Sequence, residues 1–213
     1  MLSIEIWSDV ICPWCFLGKR RFDRAVVEFD GAVEVEVRWR AYQLDPTATS
    51  TPSDLRTSLE KKYGPGSFDA MTGRLVPLGA AEGIEYRFDL AQRVSTISAH
   101  RLLAWAWEHG GGTAQARLAE ELFVAYFERG ANVADHEQLV DIAEAAGLDA
   151  EQAKAVLIGD HHRDEVAADL EAASEREITG VPAFVIADRL LIPGAQEVDT
   201  FRQVLQRAAE RFS

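Results

Sequence analysis

Within its first 39 residues the chain changes hydrophobic period twice, and this constrains the fold more than any other feature. "LSIEIWS" (2–8) alternates, with Ile4 and Ile6 on one face, as a β-strand does. From Pro13 the apolar residues Phe16, Phe22, Val26 and Phe29 follow one helical stripe. Lys19, Arg20 and Asp23 lie between them, and Gly31 is placed to end the helix. "VEVEVRW" (33–39) sets Val33, Val35, Val37 and Trp39 against Glu34, Glu36 and Arg38, the pattern of a half-buried strand. The chain therefore opens β-α-β. Both of its cysteines, Cys12 and Cys15 of "ICPWC", fall at the first strand-to-helix turn.

Two thiols three positions apart admit three readings: a redox pair, half of a metal site, or two buried apolar side chains. A thiolate is the reactive form, and a free thiol ionises near pH ~8.5. Helix N-termini carry unpaired amides and partial positive charge, which favour a thiolate at Cys12. In C-x-x-C motifs so placed the pKa falls to roughly 3.5–7.5. Pro13 suits a first helical turn because it has no N–H to lose. Cys15 lies one turn deeper on the same face, positioned to resolve a mixed disulfide formed at Cys12. A metal site needs two more ligands. The histidines are His100, His109, His136, His161 and His162, and none has zinc-site spacing from the cysteines, so no metal is expected. Inert core thiols remain an alternative, because free cysteines are commonly buried.

The centre, about 48–160, reads as five or six helices. Thr51 is the expected N-cap of a helix over "TPSDLRTSLEKKYG", with Pro52 at its first position and Gly64 as its stop. Leu118, Leu122 and Tyr126 recur four apart. "DHEQLVDIAEAAG" and "DAEQAKAVLIG" each begin Asp-x-x-Gln, like a capping box, and end at Gly. "GPGS" (64–67) reads as a loop. The tail returns to α/β: a helix over 164–176 with Val166 and Leu170 on one face, strands at 181–187 and 189–194 joined as a hairpin, and a final helix over 197–212. That helix turns Val198, Phe201, Val204, Leu205 and Ala208 inward. The organisation expected is 1–47, an inserted helical unit at 48–160, and 161–213. In "ITGVPAFVI", Pro182 opens a strand, where a proline cannot donate to the ladder. A cis Val181–Pro182 bond would aim the Val181 backbone at the cysteines, although most X-Pro bonds are trans.

Composition mainly excludes partners. With 22 Lys and Arg against 35 Asp and Glu, the formal net charge is -13, and such a surface repels nucleic acid and anionic membranes. No apolar run is long enough to span a bilayer. The start, "MLSIEIWSDV", has no basic segment or apolar stretch of signal-peptide length, so a cytoplasmic protein is expected. In that compartment paired thiols are usually catalytic or metal-binding.

The motifs together resemble one family. "SDVICPWCFLGKRRF" (8–22), "YQLDP" (42–46), "STISAHRL" (95–102), "LFVAYFERGANVAD" (122–135), "GVPAF" (180–184) and "PGAQ" (193–196) are similar to the DsbA-like group of the thioredoxin superfamily, most of all to its FrnE-type dithiol–disulfide oxidoreductases. The resemblance implies an α/β, thioredoxin-like fold with a large α-helical insertion forming a lid. It implies Cys12 as nucleophile, Cys15 as resolving thiol and a cis Pro182 beside them. Pro13, Trp14 and Val181 would then contact substrate, with His100 and Gln196 as further candidates. Thiols and disulfides of proteins or small molecules would be the partners, glutathione among the redox partners, with no bound cofactor.

Two departures stand out. The buried acid that relatives carry six residues before the first cysteine is Ile6 here, which leaves Asp9, Glu5 or His100 to handle protons. Trp14 stands where strongly oxidising DsbA proteins have His, which implies a milder thiolate stabilisation and leaves the redox direction open. Related glutathione-dependent isomerases and kappa-type glutathione transferases put Ser at the place of Cys12. Chemistry of that kind on an aromatic small molecule, or a non-enzymatic peptide-binding holdase role, are the competing readings.

Overall fold

The computed structural model describes residues 1–31 and 33–212. β1 (Leu2–Ser8) leads into α1 (Pro13–Val27) and then β2 (Val35–Ala41). β1 and β2 are parallel, with Leu2 opposite Val35 and Ile6 opposite Trp39. β2 begins two residues after the start of the alternating pattern because its pairing partner begins only at Leu2. α1 ends at Val27, short of Gly31: the Glu28 amide closes onto Arg24 O at 3.0 Å, and the Phe29 amide makes a tighter turn to Val26 O at 3.2 Å. Phe29 still packs on the core, from outside the helix.

The sheet is completed from the other end of the chain. β5 (Ala183–Ile186) lies antiparallel to β1, with Ile6 opposite Phe184, and β6 (Leu190–Pro193) pairs antiparallel to β5, giving the order β2-β1-β5-β6. Ala187 and Asp188 turn the hairpin with positive φ of 51° and 57°. On one face Ile4, Ile6, Phe184 and Ile186 meet α1 and α8 (Val198–Phe212), where Phe22, Phe184 and Phe201 contact one another. On the other face Trp7, Ala183 and Val185 pack with Ala173 of α7 (Arg163–Glu175) and with Ile178. Each of the Ile, Val and Phe side chains among these, taken from water, contributes about 1.5–3 kcal/mol.

Between β2 and α7 come α2 (Leu55–Tyr63), α3 (Ser67–Ala81), α4 (Ile97–Phe127), α5 (His136–Ala145) and α6 (Ala150–Ile158). Asp135 and Asp149 cap α5 and α6, accepting from Gln138 N and Gln152 N. The N-cap of α2 is Asp54, not Thr51. Ser53–Asp54 (β3) pairs with Gln92–Arg93 (β4), which holds the backbone extended until Asp54 can accept from the Thr57 amide at 2.7 Å. α4 is broken at Gly111, whose φ of 61° and ψ of -160° leave the helical region. A Cβ on neighbouring Gly112 would lie 2.7 Å from Val37 O, so α4 meets β2 backbone to backbone. Gln115 fastens this contact: it accepts from Trp39 N at 2.7 Å and donates to Trp39 O and Leu103 O, each at 3.0 Å.

The basic side chains of α1 are not simply a solvated face. Lys19 and Arg21 are buried. Lys19 bridges Asp23 and Glu120, and Arg21 reaches Glu82, Glu197 and Ala195 O. Their aliphatic stems cross apolar surface while the heads find acids from other elements.

Candidate functional site

β1 runs straight into the site. Its last turn places Asp9 O to accept from Cys12 N at 2.9 Å, and Cys12 becomes the N-cap of α1, with φ -90° and ψ 111°. Cys12 O accepts from Cys15 N at 3.0 Å and from Phe16 N at 3.3 Å, so both cysteines are fixed by the first helical turn. Both are free thiols. The chain's second half supplies the facing backbone. The Val181–Pro182 bond is cis, and the Cys12 thiol donates toward Val181 O at 3.6 Å. The "PGAQ" turn braces this segment, with Gly194 N donating to Pro182 O at 2.7 Å. Gly18 permits the close approach: a Cβ there would lie 3.0 Å from Pro182 Cγ and 3.4 Å from Ala195.

The two thiols differ in surroundings. Cys15 is fully buried, and this burial, followed by its contact with Cys12, pushes its thiol well above the ordinary range. The Ser8 hydroxyl and the Asp9 amide oppose that shift without reversing it. Cys12 is also buried, at 3% exposure, but it lines a cavity of about 300 Å³. Ile11, Pro13, Trp14 and Val181 share the wall beside it. Opposite stand Leu55, Leu59 and Tyr63 of α2, Phe68, Met71 and Leu75 of α3, and Phe88 and Phe127. A larger groove, of about 910 Å³ along α1 and β2, includes neither cysteine.

Tyr86 was not anticipated from sequence. Its hydroxyl donates to Pro13 O, locking the first turn of α1, and its burial, with the cysteines nearby, pushes its phenol far up. Its ring fills the space over Gly79, where a Cβ would come within 2.4 Å. The cavity wall from α2 was also missed. The signal was there: Leu55, Leu59 and Tyr63 recur four apart on a helix with no fully buried side chain, and this stripe lines the cavity.

The remaining sequence candidates are distributed as follows. Cys12, Pro13, Trp14 and Val181 meet at the cavity, and Pro182 backs them. His100 lies outside the cavity lining, buried against β2's exit. Its Nε2 sits 3.0 Å from Tyr42 O and 3.4 Å from Asp9 Oδ1, so this nitrogen carries a proton and faces two acceptors. Gln196 is also outside the lining, and its Nε2 closes its own turn onto Pro193 O at 2.6 Å. Glu5, on the sheet face away from Ile4 and Ile6, is tied to Arg40. Asp9 is fully buried. Its Oδ2 accepts from Leu44 N at 2.8 Å, while Oδ1 makes no hydrogen bond and lies 3.4 Å from His100 Nε2.

A parallel β-α-β unit that ends its first strand in a dithiol helix, and receives an antiparallel hairpin across a long helical insertion, defines the thioredoxin class in its helix-inserted form. The sequence agrees: residues 3–206 match the DSBA-like thioredoxin domain, and the chain belongs to that family. It is 30% identical over 206 residues to the uncharacterized protein YwbO of Bacillus subtilis, spanning 96% of each chain. Among solved structures, a probable DsbA oxidoreductase from Streptomyces coelicolor superposes with a TM-score of 0.91 at 37% identity, covering 100% of this chain and 92% of that one. The cytosolic disulfide reductase DsbM of Pseudomonas aeruginosa shares the fold, with a TM-score of 0.70 at 16% identity and 98% coverage of both chains. At family level the chain is a thiol–disulfide oxidoreductase. Among the described residues, no helix is long and apolar enough to cross a membrane.

Proposed function

We propose that this chain exchanges disulfides through Cys12 and Cys15. The observation that carries the reading is their asymmetry: Cys12 opens on the cavity beside Val181 O, while Cys15 is sealed beneath it as a protonated thiol. The Cys12 thiolate attacks a substrate disulfide R–S–S–R′. A Cys12–S–S–R bond forms and R′–S⁻ leaves. Cys15 then loses its proton and attacks the Cys12 sulfur, releasing R–S⁻ and leaving the Cys12–Cys15 disulfide. The enzyme dithiol is oxidised and the substrate reduced; run backwards, the same steps oxidise a dithiol substrate.

Asp9 is our candidate acceptor for the Cys15 proton. It is a buried acid whose Oδ1 makes no hydrogen bond and lies 3.4 Å from His100 Nε2, and its backbone oxygen accepts from Cys12 N in the dithiol turn. A general base of this kind accelerates proton transfer by roughly 10²–10⁴. Glutathione is the proposed redox partner. Support comes from the structure of DsbM with GSH, which has a TM-score of 0.68 to this chain. The FrnE-type placement and a cytoplasmic location belong to the same reading, and the cytosolic DsbM is consistent with the latter.

The test is single-turnover reduction of a disulfide substrate by prereduced protein, with acid quenching to trap the mixed disulfide. Cys15→Ser is expected to accumulate the adduct at Cys12, and Cys12→Ser to release no thiol. Turnover retained in Cys12→Ser would instead favour the glutathione-dependent isomerase chemistry described above.

A further inference from the structure

We infer that the cavity beside Cys12 takes one arm of a small disulfide whose body is aromatic and which carries a carboxylate. This rests on the disulfide-exchange reading and specifies its substrate. The cavity is small. About 300 Å³ is about ten water volumes and the lower end of small-molecule sites, room for one substituted ring. Its lining is rich in aromatic rings. Trp14, Phe68, Phe88 and Phe127 present ring surface within reach of the reacting sulfur, suited to offset or edge contacts with another ring.

Positive charge gathers around the cavity. In a chain of net charge -13, the surroundings of this cavity hold two cations with no acid partner among the described residues. Lys62 lines the cavity, and Arg74 lies over the Trp14 ring at 5.5 Å from its centroid. The nearby acids are already engaged. Asp45 is held by Arg93 at 2.6 Å, and Arg56 grips Asp69 through two hydrogen bonds and approaches Glu60 at 3.5 Å. Burial alone would raise the Asp45 carboxyl, but the Arg93 and Thr47 hydrogen bonds outweigh it, so that pair stays ionised and mutually cancelled. Lys62 and Arg74 are left to meet an anionic group on the substrate.

In the reaction, prereduced Cys12 attacks one sulfur of the aromatic disulfide. One arylthiolate leaves at once, and Cys15 attack on Cys12 releases the second. One enzyme dithiol is oxidised per disulfide reduced, with no other reductant needed for a single turnover. The experiment mixes prereduced protein with 5,5′-dithiobis(2-nitrobenzoate), with neutral 4,4′-dithiodipyridine, and with the disulfides of insulin. Each rate is divided by the rate of the same reagent with free dithiothreitol, which removes intrinsic reactivity.

The normalised rate should be highest for the carboxylated aromatic reagent. Changing Lys62 and Arg74 together to Ala should lower the ratio of carboxylated to neutral rates roughly tenfold, each exposed ion pair being worth up to about fivefold. Raising the salt concentration should lower it in the same direction. A ratio unmoved by the double substitution would overturn the inference, as would a normalised rate on insulin equal to that on the aromatic reagent. Failure of Cys12 to react with any of the three would instead remove the disulfide-exchange reading beneath it.

Discussion

Raising the pH should destabilise the reduced protein through Cys15 by an amount that follows from its burial. In the fold the thiol is pushed well above its ordinary range, first by desolvation and then by Cys12. In the unfolded chain it ionises near pH ~8.5. Below that pH both states keep the proton and Cys15 adds no pH dependence. Above it the unfolded state releases a proton that the folded state retains, so unfolding gains about 1.4 kcal/mol per pH unit until the folded thiol titrates. Between pH 7.5 and pH 10 the loss is about 1.36 × (10 − 8.5), or roughly 2 kcal/mol. Buried Tyr86 and Tyr126 are shifted in the same direction, and a difference measurement removes them. The assay is urea unfolding across this range in the presence of a phosphine reductant, comparing wild type with Cys15→Ala. Stability of the wild type should fall by about 2 kcal/mol more than that of the variant. Parallel curves would refute the argument, because they would mean that Cys15 ionises in the fold as readily as outside it.

Four other outcomes are expected. Brief exposure of the reduced native protein to iodoacetamide should label Cys12, while Cys15 should react only after denaturation; mass spectrometry of tryptic peptides reads the pattern. Asp9→Asn should slow release of the second thiol by about tenfold or more while sparing the first, and equal slowing of both phases would count against a proton-accepting role. Gln115→Leu strands the Trp39 amide and carbonyl, at about 1–3 kcal/mol for each buried group left unpaired. A loss of about 3 kcal/mol is expected, lowering Tm by roughly 6–12 °C in calorimetry. Gly18→Ala should perturb disulfide exchange more than stability, since its Cβ meets the Pro182 ring and Ala195 at the site itself; unchanged single-turnover rates would argue that the segment gives way freely.

Much of the fold could be read in the sequence because the decisive signals are local. Alternation marked β1 and β2, the hairpin spacing marked β5 and β6, and Asp135 and Asp149 announced two helix starts. The misreadings came where a distant partner intervened. Thr51 looked like a cap, but the Gln92–Arg93 strand holds the backbone extended past it to Asp54. Lys19 showed in the pattern only as a polar position between apolar ones, and its burial and that of Arg21 depend on Glu82, Glu120 and Glu197 arriving from other elements to pair with them. The same division holds at the site. Cys12 and Cys15 were visible from spacing alone, whereas Tyr86, Lys62 and the cavity wall on α2 and α3 belong to no motif near them.

What the sequence determined by itself is that a strand hands two thiols to the start of a helix, since that depends on residues within one turn of each other. Tertiary structure decided how the two thiols differ. Cys15 is sealed by the packing of β1 and α1 against the rest of the core, so its proton is held by desolvation. Cys12 faces a cavity whose far wall comes from helices inserted some fifty residues on. Burial and enclosure arise from chain segments meeting in space, and local periodicity carries no record of which segment that will be.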